Sequence, residues 1–227
     1  MATMKKVGLT GWLIANYLPA STLTKHLRKP TGLIGWALSK HVLAKINLAL
    51  EKKAVEVLDI QPHHNVLEVG FGHGLGMKEA AKYVKTESGG KVRGVDFSPT
   101  MVKQATSNLK TEVSKGLVEI LEGNVMDLPF GDDSFDAVYH CNCYYFWPSI
   151  DTGCREVLRV MKPGAKLVTT VDMKFFPLCS KLGVNTDPIM PNIYAEILKK
   201  VGFVDVNMFE SDKITVIVAR QPSQTVI

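Results

Sequence analysis

From residue 64 onward the chain alternates short apolar runs with amphipathic stretches, and this alternation leaves few architectures open. His64–Val69 reads as a strand that stops at Gly70. Gly74–Val84 follows as a helix with Leu75, Ala80, Ala81 and Val84 on one side. Lys91–Val95 is a second strand, and Pro99–Val113 a second helix with Met101, Val102, Ala105 and Leu109 at helical spacing. Leu117–Leu121, Phe135–His140 and Ala165–Val171 read as the next three strands. Asp151 caps a helix through Met161 that Pro163-Gly164 ends, and Asn192–Val201 is a helix ended by Gly202. Phe203–Phe209 and Ile214–Ala219 form a terminal hairpin across Glu210–Lys213. Strands separated by helices pair in parallel and are covered on both faces, whereas a tight connection reverses direction. The expectation is therefore an α/β fold whose seven-stranded sheet is mostly parallel, with an antiparallel last strand.

Ligands of such sheets bind beyond the carboxyl ends of the strands, so the strand-to-helix loops are the places to look. The strongest signal is Val66-Leu67-Glu68-Val69-Gly70-Phe71-Gly72-His73-Gly74. A buried strand ending in Glu68-Val69 runs into three glycines at alternate positions, where the backbone turns sharply and no Cβ keeps a ligand away. The spacing is G-x-G-x-G, not the G-x-G-x-x-G of dinucleotide binders. Asp96 follows Gly74 by 22 positions at the end of the second strand, where a carboxylate accepts bonds from both ribose hydroxyls. As an N-cap of the next helix, Ser98 serves better. A third element, Gly123–Phe130, precedes Ser134-Phe135-Asp136 and sets the polar Asn124 after the third strand, facing an adenine edge between apolar flanks.

Together with Arg155–Gly164, these motifs resemble the class I S-adenosylmethionine-dependent methyltransferases over residues 64–219, in that family's order. The likeness is greatest to the small-molecule branch, which includes quinone and sterol methylators. It implies a Rossmann-like domain over residues 59–227 with S-adenosyl-L-methionine as cofactor. By the same resemblance Gly70 and Gly72 admit the methionine part and Asp96 holds the ribose. Phe97 and Met101 flank the adenine, Asn124 and the Val125 amide read its edge, and Glu68, Phe71 and Cys141 complete the site. The family often has Asp where Asn124 stands, but an Asn carbonyl still accepts from the exocyclic amine. His73 reads as a cofactor contact or as solvent-facing.

Methyl transfer from a sulfonium asks the protein to align three atoms and exclude water, with a base needed only for a protonated nucleophile. The methyl group is expected over the end of the fourth strand, at His140–Pro148. Four consecutive aromatics stand there, able to cage an amine or stack a planar acceptor. Tyr144, Tyr145 and Trp147 are the candidate substrate contacts, and Tyr145 and His140 the candidate catalytic groups. His140 reads equally as a buried, satisfied histidine. The absence of an Asn/Asp-Pro-Pro-aromatic turn argues against nucleobase amines as acceptors. The absence of cysteines before Cys141 argues against arsenic.

Composition supports a single globular chain: 46% hydrophobic and 22% charged over 227 residues excludes disordered, fibrous and disulfide-scaffold classes. The formal charge of +5 is unevenly spread. Residues 1–50 carry Lys5, Lys6, Lys25, Arg28, Lys29, Lys40 and Lys45 and no acid, leaving 20 bases against 22 acids in the rest. Residues 1–58 are expected to form an N-terminal helical cap or lid. It combines a Leu9–Leu18 segment with a helix over 36–58 whose apolar side is Leu38, Val42, Ile46, Leu50 and Val57, packed at the sheet edge. Trp12 and Tyr17 add to the substrate wall. The rival reading lays residues 1–30 on a membrane surface, which suits a quinone or sterol acceptor. A second rival is a non-catalytic, cofactor-binding partner subunit. No RNA-binding signature, metal-ligand spacing or ~20-residue apolar run is present, and cytoplasmic placement fits the cysteine usage.

Overall fold

The computed structural model describes residue 29 and residues 44–173 and 189–223; Leu9–Leu18, Trp12 and Tyr17 lie outside them. The first described element is α1 (Ala44–Leu58), followed by β1 (Asn65–Val69), α2 (Leu75–Ala80) and β2 (Lys91–Asp96). Next come α3 (Pro99–Asn108), α4 (Lys110–Ser114), β3 (Val118–Glu122) and β4 (Phe135–Cys141). The chain continues with α5 (Ile150–Val160), β5 (Met161–Val171), α6 (Pro191–Val201), β6 (Val204–Ser211) and β7 (Ile214–Arg220). One seven-stranded sheet results, in the order β3-β2-β1-β4-β5-β7-β6. The first five strands are parallel, and β7 runs antiparallel to both β5 and β6. The expected seven-stranded, mostly parallel sheet with an antiparallel last strand is thus observed, with its order reversing between β1 and β4.

Successive residues of the inner strands face opposite layers, so the runs are apolar throughout rather than alternating. Val66 belongs to a core under α1, α2 and α3 with Leu50, Ala54, Met77 and Ala105. Its neighbour Leu67 belongs to the other core, with Val157 of α5 and Leu198 of α6.

The elements depart from expectation in four places. The helix expected over Pro99–Val113 breaks at Leu109 (φ −111°) into α3 and α4, and Asn108 there donates to the His73 carbonyl at 3.1 Å. Ser149, not Asp151, caps α5, its Oγ accepting from the Thr152 amide at 3.3 Å; Asp151 pairs with Arg155 at 2.8 Å instead. Pro163-Gly164 lies inside β5, where the β4 pairing shifts register, because the helix has already ended at Val160. Finally, α1 packs over β4, β5 and α2 rather than at the sheet edge. Leu50, Ala54, Val55 and Leu58 are buried there. Thr170 Oγ1 donates to the Leu50 carbonyl at 3.1 Å, and Lys166 Nζ to the Val57 and Leu58 carbonyls at 3.0 and 3.3 Å.

Candidate active site

A cavity of about 660 Å3 opens beyond the carboxyl ends of β1, β2 and β4, at the reversal of strand order. Its floor is the turn after β1. Gly72 has φ +52°, and a Cβ there would meet nothing within 4 Å, so the turn leaves space where a side chain would stand. Asp96, the last residue of β2, holds this turn: its Oδ2 accepts from the Gly72 amide and its Oδ1 from the Ser98 amide, both at 2.9 Å. Burial pushes the carboxyl up to about 6, and the two amides and Lys29 act against that rise. Each oxygen keeps a further lone pair, enough to accept two hydroxyls.

Around this carboxyl the lining includes Gly70, Gly72, His73, Phe97, Met101, Asn124 and Val125. Phe97 is partly open, with Lys29 Nζ 5.1 Å from its ring centroid, and Met101 is buried. His73 is buried against the cavity rather than facing bulk solvent. Asn124 Oδ1 already accepts from the Met126 amide at 3.0 Å, which stiffens the loop and leaves that oxygen one lone pair. The same loop is clamped from below. Glu156 accepts from the Leu128 amide at 2.8 Å, and Arg159 donates to the Phe130 and Leu128 carbonyls at 2.8 and 3.2 Å. Arg159→Lys leaves a single ammonium where a planar fork bridges several acceptors. It is expected to weaken binding of an adenine nucleoside about three- to tenfold by calorimetry, without a change in its own contact to the ligand.

The opposite end of the cavity is lined by Cys141, the last residue of β4, by Cys143, Phe146, Trp147 and Pro148 after it, and by Asn47 and Glu51 of α1. Trp147 fits because residue 153 is glycine: a Cβ there would lie 2.6 Å from its Cε3.

Five of the residues expected in the site do not border the cavity. Glu68 is fully buried below the turn, where Tyr139 donates to its Oε2 at 2.8 Å and burial raises its carboxyl well above the usual range. Phe71 points into the core beside Met77. His140 has no exposed surface; its Nε2 lies 2.8 Å from Tyr194 Oη and 2.9 Å from Thr169 Oγ1, and burial pushes it down to about 3, so the ring is neutral. Tyr144 stacks on Tyr194 at 4.1 Å and donates to the Ile189 carbonyl at 2.8 Å. Tyr145 packs on Tyr144 and borders a separate shallow hollow with Trp147. Tyr17 lies outside the described residues. Asn47, Glu51 and Phe146 were not singled out by sequence; the i, i+4 spacing of Asn47 and Glu51 was the available signal.

The family described as "Methyltransferase domain" matches residues 67–169. An uncharacterized methyltransferase of Bacillus subtilis (strain 168), YdaC, is 30% identical over 131 residues, covering 58% of this chain and 68% of YdaC. Demethylmenaquinone methyltransferase of Desulfitobacterium hafniense (strain Y51) is 33% identical over 122 residues, covering 54% of this chain. The chain spans about half the length of the first curated relatives it matches, 47% in that case. A SAM-dependent methyltransferase from Aquifex aeolicus shares the fold, with a TM-score of 0.63 at 20% identity over 90% of this chain and 99% of that one. The chain belongs to the class I S-adenosylmethionine-dependent methyltransferases. Its cofactor is accordingly S-adenosyl-L-methionine, and the side-chain-free turn at Gly72 and the open lone pairs of Asp96 fit a nucleoside with an amino-acid tail.

Proposed function

We propose that the protein transfers a methyl group to a small organic acceptor by in-line displacement. The observation that carries this reading is one cavity shared by the nucleoside-side residues Asp96, Phe97 and Asn124 and the aromatic wall of Phe146 and Trp147. Bound S-adenosylmethionine supplies an electrophilic methyl on sulfur. Asp96 accepts the ribose hydroxyls, Phe97 and Met101 flank the adenine, and Asn124 with the Val125 amide reads its edge. Phe146, Trp147 and Pro148 exclude water and hold the acceptor beyond the end of β4. His140 acts behind this wall: its neutral ring packs 5.0 Å from Trp147 and fixes it. The planar face of Trp147 and the likeness to a demethylmenaquinone methyltransferase make a quinol-type ring the first acceptor to test. A lipophilic acceptor of that kind also suits a membrane-surface enzyme, although no helix among the described residues is long and apolar enough to cross a membrane.

The test is incubation with methyl-labelled cofactor and a metabolite extract, followed by mass identification of the labelled product. Cofactor binding with no labelled product would overturn the transferase reading in favour of a non-catalytic partner subunit. With the acceptor in hand, Trp147→Leu is expected to raise its KM about three- to tenfold, the worth of one aromatic contact, and to leave the cofactor Kd within about twofold.

A further inference from the structure

The strand at one end of the sheet has a single partner. β6 pairs with β7, and no described strand lies along its other side. Val204, Met208 and Phe209 of β6 are 42%, 49% and 43% exposed, and among the described strands no other carries an exposed large apolar side chain. Pairing with Ile217 sets Met208 on the α6 side of the sheet, and pairing with Val216 sets Phe209 on the α1 side. Both faces are therefore apolar out to the edge. Edges are commonly blunted by lysine, proline or paired charges. β3, at the other end, is blunted in that way, since Lys91 and Arg93 both pair with its Glu119. Val204–Ser211 contains no Lys, Arg or Pro.

The hairpin turn fixes which backbone groups face outward. Asp212 and Lys213 both have positive φ, +53° and +67°, as in the two-residue turn that closes on a hydrogen-bonded pair, here Ser211 and Ile214. Hydrogen-bonded and non-hydrogen-bonded pairs alternate from there. Phe209 and Asn207 therefore bond inward to Val216 and Val218, whereas Glu210 and Met208 turn their N–H and C=O to the free side. The register shift before Asn207, where Asp205 has φ +51°, ends the regular stretch. A second β6 laid antiparallel about a two-fold axis at Phe209 sets Met208 against Glu210 twice, so both outward residues are paired. Phe209 then meets its own copy across a non-hydrogen-bonded pair, where side chains come closest. The same register sets each Asp205 against the other copy's Lys213. No like charges stand directly opposite, and each Glu210 is turned onto the Thr215 hydroxyl of its own β7. An axis at Glu210 would oppose two carboxylates, and one at Met208 would carry Glu210 against the bulge.

We infer that this edge is a homodimer surface, on which two chains join β6 to β6 about Phe209 into one continuous sheet. A stretch as short as Asn207–Ser211 buries less than about 1,200 Å2 in all, which makes the dimer reversible and concentration-dependent. The axis is isologous, so the pair closes on itself and does not grow into a filament. β7 and β5 separate β6 from β4, and no residue of β6 borders the cavity. The inference is thus independent of which acceptor is methylated.

Sedimentation equilibrium of the full chain between about 1 and 300 μM is the test, and the wild type is expected to dimerise with a Kd on the order of 10 μM. Phe209→Lys and Phe209→Glu each set like charges face to face on the axis, and each is expected to weaken association at least about tenfold. An equal mixture of the two variants opposes lysine to glutamate and should associate within about threefold of wild type. Phe209 is exposed and lies outside the cavity, so both variants should bind S-adenosylhomocysteine within about twofold of wild type. Wild-type protein that stays monomeric throughout would overturn the proposal and leave the edge to a different chain. Dimers that persist in both single variants would place the interface elsewhere, and a mixture that stays monomeric would remove the axis from Phe209.

Discussion

Asp96→Ala is expected to lower affinity for S-adenosylmethionine by at least about a hundredfold. In the proposed site the carboxylate would accept charge-assisted bonds from two ribose hydroxyls, and bonds to charged groups contribute about 1.5–3 kcal/mol each. The substitution also frees the Gly72 and Ser98 amides that this carboxyl joins, so the turn after β1 loses its tie to β2. Gly72 borders the cavity, where water replaces the lost acceptor, and for that reason the fold is expected to survive. Asp96→Asn should fall between, because one carboxamide end presents N–H to an amide that needs an acceptor. The wild-type chain carries a related signature. With its carboxyl at about 6, Asp96 must ionise to bind hydroxyls well, so nucleoside affinity should fall as pH drops below about 6 and level off above it. Stability moves the other way. The folded state holds this proton more tightly than the unfolded chain, so this group's contribution declines as pH rises from about 4 to about 6. Calorimetry with methylthioadenosine from pH 5 to 8 checks the affinity, and denaturant unfolding from pH 4 to 7 checks the stability; unchanged binding by Asp96→Ala would remove Asp96 from the site.

Asp96 was legible in the sequence because its place depends on local features, a strand end and a following turn. The same holds for Gly70, Gly72 and Asn124, whose chemistry lies largely in the backbone path. Side-chain direction was less accessible. β4 is buried on both faces, so its apolar run carries no alternation to tell one face from the other. Neighbours His140 and Cys141 consequently separate: Cys141 borders the cavity, and His140 turns to Tyr194 of α6. Tyr144 and Trp147 separate likewise, one sealed beneath the loop and one on the cavity, because Gly153 admits the indole. Glu51 was hidden for a different reason. Its partners in space, Glu68 and Cys141, lie on β1 and β4, and no local pattern brings α1 over them.

Phe71 shows how such a direction is decided, and it supports the second large effect. Flanked by Gly70 and Gly72, it looked like a ligand contact, yet the ring turns into the core because residue 94 on β2 has no side chain. A Cβ on Gly94 would land on Met77 Sδ and within 2.6 Å of Phe71 Cδ1, and both of those side chains are fully buried. Gly94→Ala is therefore expected to destabilise the protein by about 2–3 kcal/mol, the upper part of the overpacking range, and to lower Tm by roughly 5–10 °C. Gly89→Ala is the control. It has φ +80° and open space around its Cβ, so it should cost only the roughly 1 kcal/mol of a left-handed residue. A ring displaced by the new methyl drags Gly70 and Gly72 with it, so cofactor affinity should fall along with Tm in Gly94→Ala and not in Gly89→Ala. Trimming Met77 to alanine beside the new methyl removes the sulfur from the crowded space, so the double variant should melt above the sum of its single losses. Additive losses, or an unshifted Tm in Gly94→Ala, would mean that the ring is not wedged beneath β2. The glycine turn would then need some support other than the missing side chain at residue 94.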